Sequence, residues 1–316
     1  MNKEIAIGMD IGGTHVRVGA FDGAGQLLGQ NEASIASIGP DNGLRLIEQL
    51  IHEMLDSVHA SALSGIGIGC TGPLDIVRGL VNNPYTLEGW SNVPIVDRLN
   101  KTFNVPVHLE NDADAAALGE YWQGAGRNAK RLYAVTVGTG VGTSLIVDGK
   151  IYRGVGDSHP EGGHQLIDPG GPECYCGHRG CWESLISGLA ISSAARSAKN
   201  NEHLFALALN DPNRVTAHFI AEAARAGDPT ASDIMQKAAR DFSLGIINII
   251  SFFVPDVLVL SGGVMKSADL FLPTLEKALK TPNPMVPFDR VNILPAKLGY
   301  YAGIYGGAYM ILSEVL

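Results

Sequence analysis

A chain of 316 residues with a net charge of −9 and scattered Lys and Arg presents no basic face, which excludes nucleic acid and anionic membranes as partners. The composition, 46% hydrophobic and 17% charged, is that of a globular protein, and the length favours two cores because single cores stop growing near this size. The opening residues lack an export signal, and the most apolar stretch, Leu244 to Val254, is too short for a bilayer and stops at Pro255-Asp256, so a cytoplasmic protein is expected.

The chain opens as strand, turn, strand, turn, strand: Ile5 to Asp10, Gly12-Gly13, His15 to Phe21, Asp22-Gly23, and Gln26 to Gln30. Period-two alternation and glycine turns predict hairpins. After Pro40-Asp41, apolar residues recur at helical spacing: Leu44, Ile47, Leu50, Ile51, Met54 and Leu55. A glycine-rich strand, Gly65 to Gly69, ends in Thr71-Gly72-Pro73. Another, Val105 to Leu109, ends in Glu110-Asn111-Asp112, and a helix follows from Ala113 to Trp122. At Leu132 the opening pattern restarts: a strand to Val137, the loop Gly138-Thr139-Gly140-Val141-Gly142, a strand Thr143 to Val147 and the turn Asp148-Gly149. A loop from Ser158 to Cys181 leads to helices expected over Trp182 to Ala198, Thr216 to Ala226 and Pro229 to Val254. A buried strand, Asp256 to Leu260, then ends at Ser261-Gly262-Gly263, and a helix over Tyr301 to Leu316 closes the chain.

Strands alternating with helices give an α/β class with mixed sheets. The restarted pattern indicates two similar halves, although two unrelated glycine-rich hairpins would look alike over so short a match. The expected lobes are a smaller one, 1–115, completed by helix 301–316, and a larger one, 116–300, carrying a metal loop at 159–183.

Asp10-Ile11-Gly12-Gly13-Thr14 sets a carboxylate at a strand end, then two glycines and a hydroxyl. Gly12 and Gly13 let successive N–H groups converge on an anion and Thr14 adds a donor. Asp10 cannot bind phosphate itself but suits the Mg²⁺ that accompanies it. Thr139 and Gly140 lie in a second such turn without a carboxylate. Either loop alone reads equally as a hairpin turn; together, at strand ends of repeated halves, they suit two jaws around one nucleotide.

Three of the four cysteines, Cys174, Cys176 and Cys181, crowd one loop, with His159, His164 and His178 nearby as imidazole donors. Without an export signal this favours a metal over disulfides, and three thiolates with one imidazole suit tetrahedral Zn²⁺ in a closed, structural site. Reduced cysteines packed in a loop are the alternative; Tyr175, Gly177 and Gly180 offer them little apolar cover.

The Asp-Ile-Gly-Gly-Thr opening, Glu110-Asn111-Asp112-Ala113, the Gly-Thr-Gly-Val-Gly loop and His164-x9-Cys174-x-Cys176-x4-Cys181 keep this order over nearly the whole chain, to the glycines around Gly303-Ile304-Tyr305-Gly306-Gly307. In this they resemble the ROK family of sugar kinases and regulators. The resemblance implies two actin-like, ribonuclease H-like ATPase lobes around a central cleft, and ATP-dependent phosphorylation of a hexose hydroxyl. The C6 hydroxyl of glucose or a related hexose is expected; fructose, mannose and N-acetylhexosamines are alternatives. Asp112 matches the family's general base, which takes the hydroxyl proton. Position alone would equally make it a helix N-cap, and Asp114 is a rival carboxylate.

By the same resemblance His164, Cys174, Cys176 and Cys181 are the zinc ligands. Asn111, Glu161, His164 and Glu183 hydrogen-bond the sugar, Gly72, Asn83 and Trp90 line its cleft, and Gly262-Gly263 form the adenosine-side turn. One departure is His159-Pro160-Glu161-Gly162-Gly163-His164, where the family has Gly-Glu-x-Gly-His; His-Pro-Glu is nearer its fructokinases. A homo-oligomer, dimer or tetramer, is also implied. The family's regulators carry a helix-turn-helix before the first loop; only nine residues precede Asp10, which makes a non-catalytic sugar-responsive regulator the lesser reading.

Overall fold

The structure is a computed structural model that describes residues 4–281 and 283–313. Residues 1–3, at the start of the expected first lobe, and 314–316, at the end of the expected closing helix, lie outside the described residues. The first segment runs β1 (Glu4–Ile11), β2 (His15–Asp22), β3 (Leu27–Ser34), α1 (Pro40–Ser57), β4 (Ala62–Cys70), β5 (Leu74–Asp75), β6 (Leu80–Val81), α2 (Ile95–Phe103), β7 (Val107–Asn111) and α3 (Asp112–Trp122). The second begins with β8 (Arg131–Val137), β9 (Val141–Val147) and β10 (Lys150–Ile151). It continues through α4 (Glu183–Ile186), α5 (Gly188–Ser197), α6 (Glu202–Leu207), α7 (Ala217–Arg225) and α8 (Pro229–Phe253). It ends with β11 (Val257–Ser261), α9 (Ala268–Leu279), β12 (Asn292–Pro295) and α10 (Ala302–Leu312).

Two mixed five-stranded sheets have corresponding orders, β3-β2-β1-β4-β7 and β10-β9-β8-β11-β12. β1 is antiparallel to β2 and parallel to β4, which is parallel to β7. Likewise β8 is parallel to β11, and β11 to β12. The restart at Leu132 is therefore a repeat of topology.

Two compact units divide the chain: Met1–Ala129 with Leu145–Ile151 and Ala296–Leu316, and Lys130–Ser144 with Tyr152–Pro295. The first stretch of the first unit runs to Ala129, and helix packing keeps α3 within it. A Cβ on Gly306 of α10 would collide with the Ala115 carbonyl of α3, and one on Gly119 of α3 with the Ala302 carbonyl. Backbones this close leave α3 inseparable from α10.

The first sheet is buried on both faces, so its central strand reads as a continuous apolar run rather than an alternating one. Ile5, Ile7, Met9 and Ile11 enter the core formed with α1 and α2, while Ala6 joins Phe21, Ile304 and Ala308 on the α10 face. The glycines of β1 and β4 serve that second face: a Cβ on Gly8 would strike the Ile304 carbonyl, and one on Gly67 the Gly307 carbonyl. Because the obstacle is backbone, a Gly67→Ala protein is expected to lose about 3 kcal/mol of stability. Gly23→Ala, where an added Cβ meets nothing within 4 Å, should be near neutral; denaturant midpoints of the two variants check the pair.

The single helix expected over Trp182 to Ala198 is two, α4 and α5. Ser187 adopts extended backbone between them, and its hydroxyl accepts the Ala190 N–H at 3.1 Å as the N-cap of α5. That cap is the start signal that an apolar count passes over.

Candidate active site

In the first unit three parallel strands end level with one another: Ile11 pairs with Cys70, and Cys70 with Asn111. Parallel register thus brings Asp10, Thr71-Gly72 and Asn111-Asp112 to one sheet edge, the carboxyl end where α/β folds bind ligands. The β1–β2 turn is closed by the Gly12 N–H donating to the His15 carbonyl at 2.9 Å. Thr14 is exposed, its hydroxyl 3.0 Å from His15 Nδ1. A Cβ on Gly13 would lie 3.0 Å from the Thr86 carbonyl, so the turn rests on the 83–86 loop.

Asn83 organises that loop. Its Nδ2 donates to the Thr71 carbonyl at 3.2 Å and to Thr86 Oγ1 at 2.7 Å, and its Oδ1 accepts the Tyr85 and Thr86 N–H groups at 3.1 Å each. Two donors and two acceptor sites are all an amide has. Asn83 therefore supports the site's loops in this structure and has no hydrogen bond left for a sugar. Trp90 is fully buried in the first core with its edge on Gly43 of α1; it is a core aromatic and not a cleft wall.

The N-cap of α3 is Asn111, not Asp112. Asn111 Oδ1 accepts the Ala113 N–H at 2.8 Å and the Asp114 N–H at 3.4 Å, while Gly72 abuts its Nδ2. Asp112, the first helical residue, accepts the Ala113 N–H through Oδ1 at 2.9 Å. Burial raises the Asp112 carboxyl above the ordinary 3.8 and the charge of Asp10 adds to this, against partial compensation by backbone N–H groups. Asp10 is also raised by burial, although Arg17 holds it in a 2.6 Å ion pair. Arg17 in turn lies 3.4 Å from the centre of the Tyr300 ring and 3.4 Å from Glu32. With the charge of Asp10 near it, the half-buried Asp112 carboxyl is disposed to hold a proton, while Asp10 is disposed to hold a cation.

In the second unit the Gly138–Gly142 loop closes by Gly138 N–H to the Gly140 carbonyl at 2.9 Å, with Thr139 exposed at its tip. Its Val141 N–H donates to Glu183 Oε2 at 2.7 Å, and a Cβ on Gly140 would run into the same carboxylate. A side chain at 140 would displace the Glu183 carboxylate. Gly262 has φ 96°, where L side chains are strained, and a Cβ there would meet the Val137 carbonyl; Gly263 faces open space. Thr136 and Ser261 hydroxyls, 2.7 Å apart, join the ends of β8 and β11 beside that turn.

Glu161 is bracketed by Thr143, whose hydroxyl donates to the Pro160 carbonyl at 3.0 Å and accepts the Gly162 N–H at 2.8 Å. Its carboxylate pairs with His159 at 3.2 Å, and that contact lowers its pKa against the opposing effect of burial. His159 is not one of the residues clustered with the cysteines. The ligand atoms of His164, Cys174, Cys176 and Cys181 all lie within 4.8 Å of one another. His164 Nδ1 is 3.5 Å from Cys174 Sγ, and Cys176 Sγ is 3.5 Å from Cys181 Sγ. Three thiolates and an imidazole at this spacing fit a tetrahedral zinc with no open position. His178, 3.7 Å from Cys176 Sγ, is outside the group of four. His164 Nε2 faces the Tyr175 hydroxyl at 3.2 Å.

A sequence profile described as the ROK family matches residues 6–314. The chain belongs to the ROK family. It is 32% identical to a glucokinase of Thermotoga maritima over 100% of this chain and 99% of that one. Among solved structures, a ROK hexokinase from Thermus thermophilus superposes with a TM-score of 0.84 at 30% identity, covering 98% of this chain and 99% of that one. A ROK family glucokinase from Streptomyces griseus in complex with glucose and AMPPNP superposes at 0.75 with 31% identity, over 97% and 98% of the two chains. The mixed sheets of this ROK protein are those of the family's two-lobed, actin-like ATPase fold. Among the described residues, no helix is long and apolar enough to cross a membrane.

Three residues of the ROK chain's candidate site escape a reading along the sequence. Arg17 was legible in principle: a hairpin closed at Gly12–His15 pairs Asp10 with Arg17 across β1 and β2. Thr143 and Tyr175 carry no such signal. One is an ordinary strand hydroxyl, and the other sits between two cysteines that draw all the attention.

Proposed function

We propose that this ROK protein is an ATP-dependent hexose kinase acting on the C6 hydroxyl of glucose or a closely related hexose. The observation that carries the proposal is Asp112: a half-buried carboxylate that shares the Ala113 N–H with the cap residue Asn111, near a second carboxylate, Asp10, at the level ends of β1, β4 and β7. The glucose and AMPPNP in the Streptomyces griseus relative support the substrate pair.

In this reading Asp112 accepts the proton of the attacking hydroxyl as the bond to phosphorus forms. Asn111 directs its amide to the sugar from the cap position, with Gly72 leaving it room. Asp10, oriented by Arg17, would hold the Mg²⁺ that travels with ATP, and Gly12, Gly13 and Thr14 offer N–H and hydroxyl donors to phosphate oxygens. In the second unit Glu161, Glu183 and His164 receive sugar hydroxyls, Thr139 and Gly140 belong to a phosphate loop whose Val141 N–H fixes Glu183, and Gly262-Gly263 take the adenosine side. His164, Cys174, Cys176 and Cys181 would hold zinc, which when bound locks the loop that carries those acceptors. Asn83 orients loops rather than touching the sugar. A cytoplasmic enzyme assembled as a homo-oligomer belongs to the same proposal; exposed Leu244 and Phe252 on α8 support the assembly, and light scattering would test it.

A coupled ADP-release assay over glucose, fructose, mannose and N-acetylhexosamines is the deciding test. Sugar-dependent ADP formation is expected, strongest with glucose; no turnover with any sugar contradicts the enzyme and favours a regulator, and equal turnover without sugar makes it an ATPase. A pH profile adds an independent check. The base must be ionised, and burial with Asp10 raises its pKa, so kcat/KM should fall on acidification with its inflection above 3.8. An acid limb at or below that value contradicts the assignment.

A further inference from the structure

We propose that Tyr175 is a built-in competitor of the hexose, its phenol hydroxyl standing where His164, Glu161 and Glu183 would receive a hydroxyl of the sugar. The inference rests on the hexose-kinase reading above and adds a residue that sets the affinity of that site.

The Tyr175 hydroxyl lies 3.2 Å from His164 Nε2, and the two rings meet edge to face at 83° with centroids 5.1 Å apart. The Glu183 and Glu161 carboxylates are the acidic neighbours of the same hydroxyl. An imidazole N–H that donates and a carboxylate that accepts are the partners an alcohol needs, and a phenol satisfies both as a sugar hydroxyl does. Because His164 turns Nδ1 toward Cys174, Nε2 is the ring nitrogen left for a ligand, and Tyr175 already has it.

The rest of Tyr175 is free to leave. Its residue surface is 82% exposed, so little beyond the edge contact with His164 holds the ring. The backbone around it is pinned, with the Cys174 N–H donating to the His178 carbonyl at 2.8 Å and the Gly177 N–H to the Cys174 carbonyl at 3.0 Å. A side chain swinging about a fixed Cα can therefore vacate the acceptors without disturbing the cysteines. A hexose must displace it, and its apparent affinity falls by the fraction of molecules in which Tyr175 is seated.

The test is steady-state kinetics of the full-length, zinc-loaded enzyme with glucose. Tyr175→Phe keeps the ring and removes the hydroxyl; the hexose KM is expected to fall by about three- to tenfold, the range of one or two exchanged hydrogen bonds. kcat should stay within about twofold and the KM for ATP should not move. Tyr175→Ala should shift the hexose KM in the same direction. A KM that rises in Tyr175→Phe shows the hydroxyl to be a sugar contact, and a KM unchanged in both variants shows it to be a bystander; either overturns the inference while leaving the kinase reading intact. Absence of sugar-dependent turnover in the parent overturns the kinase reading, and the inference with it.

Discussion

An Asp112→Asn protein is expected to fold as its parent does and to bind hexose, yet to lose about 10²- to 10⁴-fold in kcat, the usual contribution of a positioned base. The substitution is nearly isosteric, and its side-chain oxygen can still accept the Ala113 N–H that Asp112 accepts at 2.9 Å. The start of α3 survives because Asn111 is the cap. Stability should not suffer either. The carboxyl is raised by burial and by Asp10, so its ionised form opposes folding at neutral pH, and a neutral amide removes that opposition. The expected signature is a melting temperature at or above that of the parent, unchanged hexose binding by calorimetry, and almost no ADP release. Parent-like kcat would remove Asp112 from the mechanism and return it to helix geometry.

Breaking the cysteine cluster should have the next largest effect, and on binding rather than turnover. Cys181→Ser is expected to lose stoichiometric zinc and to raise the hexose KM by about 10- to 100-fold. The loop before α4 is tied by short-range backbone hydrogen bonds, such as Gly180 N–H to the Pro172 carbonyl at 2.8 Å, but has little regular structure. Its β contacts among the described residues are the isolated bridges Leu166–Cys181 and Glu173–Arg179, and Gly180, at φ 69°, is pressed against the Asp168 carbonyl. Glu183 follows two residues after Cys181 and Glu161 precedes His164 by three, so slack in the cluster reaches both carboxylates. A strong chelator should reproduce the loss in the parent, and added zinc should restore the parent but not the variant. Zinc content and hexose KM both unchanged in Cys181→Ser would show that the cluster does not support the site.

Where structure is written in local pattern, it was readable along the chain. The opening hairpins follow from alternation and glycine turns, α1 from apolar residues at helical spacing, and α8 from its length; all stand within a few residues of expectation. Elements with weak local signals were passed over. α2 buries only Ile95 and Leu99, α9 carries Pro273 within it, and β12 is short and mostly exposed with Pro295 at its end. Helix α3 was seen, but its attachment to α10 was not, because that attachment depends on glycines meeting a carbonyl from residues far along the chain.

The candidate site divides the same way. Residue types and spacing alone determined that this chain carries a carboxylate before a double glycine, an acidic cluster at a strand end, and three thiolates with imidazoles in reach, because each is a chemical pattern within a few tens of residues. Tertiary structure decided which atoms are free to act. It gave the cap to Asn111, exhausted the amide of Asn83, buried Trp90, paired Arg17 with Asp10 and set the Tyr175 hydroxyl on His164. A hydrogen-bonding group is defined by what already occupies it, and its occupants come from strand register and loop packing that no local spacing records.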